Sequence, residues 1–243
     1  MKKVSYYVFS SVIITALLMG ASGCDEPDEP DNNSDDNTQV SDAGFDGNFE
    51  NWITHTEGEV SWEIPESGWW SSLNMLKTLG CPLTMTKTED AYAGNYAVRL
   101  ETINWGDDLI IPGIIASGYF DKERPIGENL VLGQPFEYKA TLVRGYYKYH
   151  PATQDTAVFY TSLTRYNTST NQRDTIAEAS LTINDSIRNY TEFQLIYEYR
   201  NYDQQPDSIN ILFLTSISGQ DFNGHVGSTL FIDDVEIIEA ADQ

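Results

Sequence analysis

From Phe45 onward, apolar residues recur at every second position rather than with the 3.6-residue period of a helix. The segments "YAVRLETI" (96–103), "FEYKATLVRGYYKY" (136–149), "TEFQLIYEYR" (191–200), "SINILFLTSI" (208–217) and "STLFIDDVEII" (228–238) read as strands. Between such segments lie turn clusters, "TEDAYAGN", "NTSTNQRD", "NYDQQPD" and "SGQDFNGHVG", built from the Gly, Asn and Asp that tolerate tight turns. One stretch, "WWSSLNMLKTLG" (69–80), is readable as a helix ending at Gly80 or as a long loop. Strands and helices do not alternate, so a parallel sheet is not expected. The pattern predicts an all-β fold, an antiparallel two-sheet jelly-roll sandwich, over 43–243.

The opening follows a different logic. Lys2 and Lys3 precede an apolar run from Tyr6 to Met19 and the small residues before Cys24. That is the layout of a signal peptide over 1–23, and the run is shorter than the roughly 20 residues a membrane-spanning helix needs. "ASGC" (21–24) resembles a lipobox, which makes Cys24 the acylated first residue of the mature chain. Acyl chains contribute about 0.8 kcal/mol per buried methylene, so two or more anchor a protein firmly. Residues 25–42, rich in Asp, Asn, Pro and Ser, cannot bury enough apolar surface to order themselves and read as a linker. With Cys24 acylated, Cys81 has no disulfide partner and is expected to be a small buried hydrophobe.

Composition narrows the partners. The chain has 14 Lys+Arg against 37 Asp+Glu, a formal charge of −23, which excludes nucleic acid. Hydrolase and metal signatures such as HExxH, CxxC and GxSxG are absent, and His55, His150 and His225 are not in ligand spacing. A glycosidase needs two carboxylates about 5 to 9.5 Å apart, for which Glu101, Asp107, Asp108 and Glu137 are candidates. Aromatic placement points instead to saccharide binding. Trp69, Trp70 and Trp105 stand beside Gly, Ser or Asp, and Tyr146 is on the strand face opposite Tyr147 and Tyr149. Such rings offer an apolar platform with a polar edge to a sugar ring, whereas Trp52, Trp62, Tyr147 and Phe193 are expected in the core. Asp233 and Asp234 in an apolar strand put one carboxylate on each face, and the inward one is paired by Ca²⁺ together with Glu50, or by backbone amides.

"DGNFENW" near the start, "GYYKYHP" in the middle and "PDSINILFLTSISGQDFNGHVGSTLFIDDVEI" at the end, behind a lipoprotein signal, resemble the putative carbohydrate metabolism domain family, PCMD, of Bacteroidetes lipoproteins. The resemblance implies a jelly roll similar to carbohydrate-binding modules, a surface-anchored lipoprotein that binds polysaccharide or oligosaccharide in glycan acquisition, and a glycan-transport partner. It equally admits a xylanase-like glycoside hydrolase, while a structural or adhesive surface protein is the third reading. The first and last motifs are similar to calcium-holding motifs of such modules, which implies Glu50 with Asp233 or Asp234 as ligands. The acidic run after Cys24 resembles surface-export signals of that group and implies the outer face of the outer membrane.

Overall fold

The computed structural model describes residues 45–106, 109–121, 123–124, 130–218 and 224–239. Cys24, the leader, the linker and the pair Asp107 and Asp108 lie outside the described residues. Among those described, no helix is long and apolar enough to cross a membrane.

Two antiparallel sheets face each other. The first has five strands in the order Ile187–Ile196, Ala140–His150, Thr229–Glu239, Ala97–Glu101 and Met85–Thr88. The second has eight, running Glu198–Tyr199, Gln172–Ile183, Ala157–Asn167, Ser208–Leu214, Ile114–Phe120 and Trp70–Ser72. Gln134–Pro135 pairs with Ser208–Leu214, and Leu130–Leu132 pairs with Ile114–Phe120. Sequence-adjacent hairpins, such as Ala157–Asn167 with Gln172–Ile183, are joined by long-range pairings, as in a jelly roll: the last strand, Thr229–Glu239, lies between Ala140–His150 and Ala97–Glu101.

Period-two alternation fills the space between the sheets. Val143, Tyr147, Tyr149, Phe193, Leu195, Leu230 and Ile232 meet Ile115, Phe159, Leu163, Ile211 and Phe213 from the opposite sheet. At the centre Phe159, Phe193 and Phe213 pack edge to face with centroids 5.0, 5.1 and 5.5 Å apart, the arrangement the ring quadrupole favours. Trp62, Tyr147 and Phe193 are buried, and Trp52 packs partly buried against the core, as their sequence context predicts.

The alternate residues of the eight-stranded sheet, Ile114, Ala116, Leu212 and Leu214, would face water but meet a second apolar layer. Leu73 and Leu76, from a short 3-10 helix at Leu73–Leu79, cover them together with Cys81. Ser72 caps that helix by accepting from the Asn74 amide, and Gly80 ends it at φ 88°, a left-handed conformation suited to glycine. The helix is shorter than the 69–80 stretch because Trp70–Ser72 pairs as an edge strand with Ser117–Ile115. Cys81 is buried and free, and burial pushes its thiol up to about 11, a thiol without ready reactivity.

A candidate aromatic binding face

The outer face of the five-stranded sheet gathers the polar and aromatic half of "VRGYYKYH". With Val143, Gly145, Tyr147 and Tyr149 turned inward, Arg144, Tyr146, Lys148 and His150 point outward. In register, Tyr146 faces Glu192 on one side and Asp233 on the other, and Lys148 faces Phe231. The order is locally broken: between Arg144 and Tyr146 the last strand has one extra residue, a bulge with Asp234 at φ 48°.

The turn cluster at 89–96 folds over this face and supplies the rest of the platform. Tyr92 stacks flat on Tyr146, centroids 3.5 Å apart and planes 10° apart, and Tyr190 meets Tyr92 edge-on at 6.0 Å. Tyr92 is still 45% exposed despite both ring contacts. The contact with Tyr92 is the largest cause that pushes the Tyr146 hydroxyl up to about 12, and burial raises that of Tyr190. Both hydroxyls are therefore neutral at physiological pH and able to donate.

Five anchors hold the 89–96 segment in place. Asp233 Oδ2 accepts from the amides of Tyr92 and Ala93 at 2.7 and 3.1 Å. Glu50 Oε1 accepts from the amides of Asn95 and Tyr96 at 2.8 and 2.9 Å, and its Oε2 from the Asn95 side chain at 3.1 Å. The Tyr190 hydroxyl donates to the Asp90 carbonyl at 2.5 Å. The Lys148 side chain, 9% exposed, runs between the Tyr190 and Phe231 rings, 4.6 Å from each centroid, and pairs with the Asp90 carboxylate. The stack of Tyr92 on Tyr146 is the fifth.

A family model described as "Putative carbohydrate metabolism domain", PCMD, matches residues 36–238. The chain belongs to this family. No curated protein matches it. Among solved structures it is similar to a "putative glycoside hydrolase" from Bacteroides thetaiotaomicron, 22% identical over 80% of this chain and 71% of that one, with a TM-score of 0.67. It is also similar to a "putative glycoside hydrolase" from Bacteroides vulgatus, 21% identical over 79% of this chain and 97% of that one, with a TM-score of 0.62. These likenesses are of fold.

The PCMD chain distributes the predicted aromatic residues differently from the sequence reading. Trp69 and Trp70 are 6% and 5% exposed and belong to the core. "SGWW" is the entry to an edge strand rather than a loop tip, and the indoles seal the end of the sandwich against Phe45, Phe49 and Phe213. Trp70 Nε1 donates to the Asp46 carbonyl at 2.6 Å, so its polar edge is satisfied indoors. Trp105 is half-buried in the second apolar layer, across the eight-stranded sheet from Tyr146. Of the four rings only Tyr146 reaches the platform. Its partners Tyr92 and Tyr190 were readable only as a lone aromatic in a turn cluster and a tyrosine beside asparagine in a strand.

The acids are also redistributed. Glu101 pairs with Arg99 at 2.8 Å and lies, through Thr229, beside His150. Glu137 precedes the other end of the same Ala140–His150 strand. An 11-residue strand separates the two by roughly 30 Å, too far for a catalytic pair. The two terminal motifs do meet, because the Val235 amide donates to the Gly47 carbonyl at 2.8 Å. Glu50 and Asp233 spend their carboxylates on the 89–96 segment. Every oxygen of Glu50 and Asp233 already receives an N–H donor, including the Asp234 amide on Asp233 Oδ1 at 2.9 Å, and N–H dipoles repel a cation. Among the described residues no group of three or more His, Cys, Asp or Glu is placed to hold a metal. Asp233 does not turn into the core: it shares the outer face with Tyr146, is buried there by the 89–96 segment, and is paired by the amides of Tyr92, Ala93 and Asp234.

Proposed function

We propose that this PCMD protein binds polysaccharide without cleaving it, on the platform formed by Tyr92, Tyr146 and Tyr190. We further propose that acyl chains on Cys24 hold it on the outer face of the outer membrane, where it serves glycan acquisition alongside a transport partner. The observation that supports the binding reading most is the exposed, flat Tyr92 ring, held rigid by Tyr146 beneath it and by carboxylate clamps on its own backbone. A preformed ring loses little entropy on stacking with a pyranose, and neighbouring hydroxyls and carboxylates satisfy the sugar's polar edge. A shallow open face gives a weak site, which many tethered copies on one polymer offset.

The test is binding of the full chain to a panel of neutral polysaccharides, alongside Tyr92→Ala and Tyr146→Ala. Loss of the stack is expected to weaken binding about tenfold in either variant with Tm within a few degrees of wild type. Unchanged binding in both folded variants would remove the platform from the function. Release of reducing ends by the wild-type chain would replace binding with hydrolysis. The anchor is tested separately: labelled palmitate should enter the wild-type protein in a lipoprotein-processing host and not Cys24→Ser.

A further inference from the structure

The charges around the tyrosine platform are predominantly negative, with Arg188 the exception on the edge strand. Glu192, opposite Tyr146 on the edge strand, is exposed, and Asp234 stands on the bulge between Asp233 and Glu236. Glu89 is exposed on the covering segment. The nearby cations are committed elsewhere: Lys148 is buried against Asp90, and Arg144 is paired with Glu236 at 2.6 Å. Arg188, two positions before Tyr190, is exposed on the edge strand. The tyrosine hydroxyls register the same field. Beyond their larger causes, Tyr146 is raised by Glu192 and Asp234, and Tyr190 by Asp233 and Asp90, all carboxylates. The chain as a whole has a formal charge of −23.

Resting on the sugar-binding reading above, we propose that the platform selects neutral saccharides, whose hydroxyls donate to Glu192 and Asp234, and rejects glycans bearing uronate or sulfate groups. A carboxylate accepts from sugar hydroxyls at no electrostatic cost, whereas an anionic substituent on the same sugar meets two like charges and the long-range field of the protein. Two such contacts in high dielectric amount to about a tenfold loss of affinity at low salt.

The experiment pairs polymers of one backbone that differ in charge: hydroxyethyl cellulose with carboxymethyl cellulose, and neutral galactomannan with its sulfated derivative. Full-length protein is expected to bind the neutral member about tenfold more tightly at low ionic strength, with the gap narrowing as salt shortens the Debye length. The double variant Glu192→Gln, Asp234→Asn should narrow the gap as well; asparagine tolerates the positive φ at 234, so the bulge is retained. Equal or tighter binding of the anionic members, or a gap that neither salt nor the double variant moves, overturns the selectivity while leaving sugar binding intact. Failure of every member of the panel to bind overturns the sugar-binding reading itself, and the selectivity with it.

Discussion

Glu50 and Asp233 grip the same segment from opposite ends of the chain and respond to pH in opposite senses. The Tyr96 amide, first among its partners, holds Glu50 below the 4.5 of an ordinary glutamate. The folded state therefore favours the ionised form, and this contribution is complete above 4.5 and lost as pH falls through the lowered value. Burial outweighs the three amides on Asp233 and raises it above 3.8, so the folded state holds that proton longer and this group's contribution declines as pH rises through the window. The difference in Tm between wild type and Glu50→Gln should accordingly be largest near neutrality and close as pH drops below 4.5. A difference that stays constant across that range would mean Glu50 acts by packing alone. Sequence marked one of Asp233 and Asp234 as requiring a partner and named Glu50 beside them. It did not show that the partners are amides of a turn 45 and 140 residues away, because main-chain donors leave no mark in composition.

The strand Ala140–His150 shows at the level of an element why its pattern includes a glycine. A Cβ on Gly145 would lie 2.9 Å from the Phe193 ring and 3.1 Å from Val235 Cα, where the bulged last strand presses inward. Gly145→Ala is thus an overpacking substitution, expected to cost about 1–3 kcal/mol in urea unfolding. Adding Phe193→Leu should return part of that loss by vacating the ring edge, and strictly additive penalties in the double variant would show the contact to be unimportant. The strands within 96–103, 136–149, 191–200, 208–217 and 228–238 were legible in outline, whereas the long pair Ala157–Asn167 and Gln172–Ile183 was not singled out by alternation. Which face of a strand is covered was not legible. Ile114, Ala116 and Leu212 stand in continuous apolar runs that do not say what covers the outer face, which is the helix Leu73–Leu79 with Cys81, and the adjacent Trp69 and Trp70 give no sign that both turn indoors. The tyrosine platform was half visible for the same reason: Tyr146 follows from strand phase, whereas Tyr92 is brought to it by a fold-back that only the tertiary structure specifies.

At the scale of the whole molecule, the sandwich folds against its own charge. The formal charge of −23 is that of the whole chain, and although eight of its Asp and Glu lie in 25–42, the folded body keeps an excess of acids and ties cations into local pairs such as Arg144–Glu236 and Arg173–Asp207, so unscreened repulsion opposes compaction. Raising NaCl from about 10 mM to about 150 mM shortens the Debye length from about 30 Å to about 8 Å and should raise Tm by a few degrees. The same experiment separates general screening from specific ion binding at Glu50 and Asp233. Because each of their oxygens already receives at least one N–H donor, CaCl₂ at the same ionic strength is expected to match NaCl. An additional rise with calcium that disappears in Glu50→Gln would require the amides to be displaced by the ion, and the segment at 89–96 would then be held by a metal in place of hydrogen bonds. Either way, the rigidity of that segment sets how well Tyr92 is presented, so a treatment that loosens the clamps should weaken glycan binding before it unfolds the sandwich.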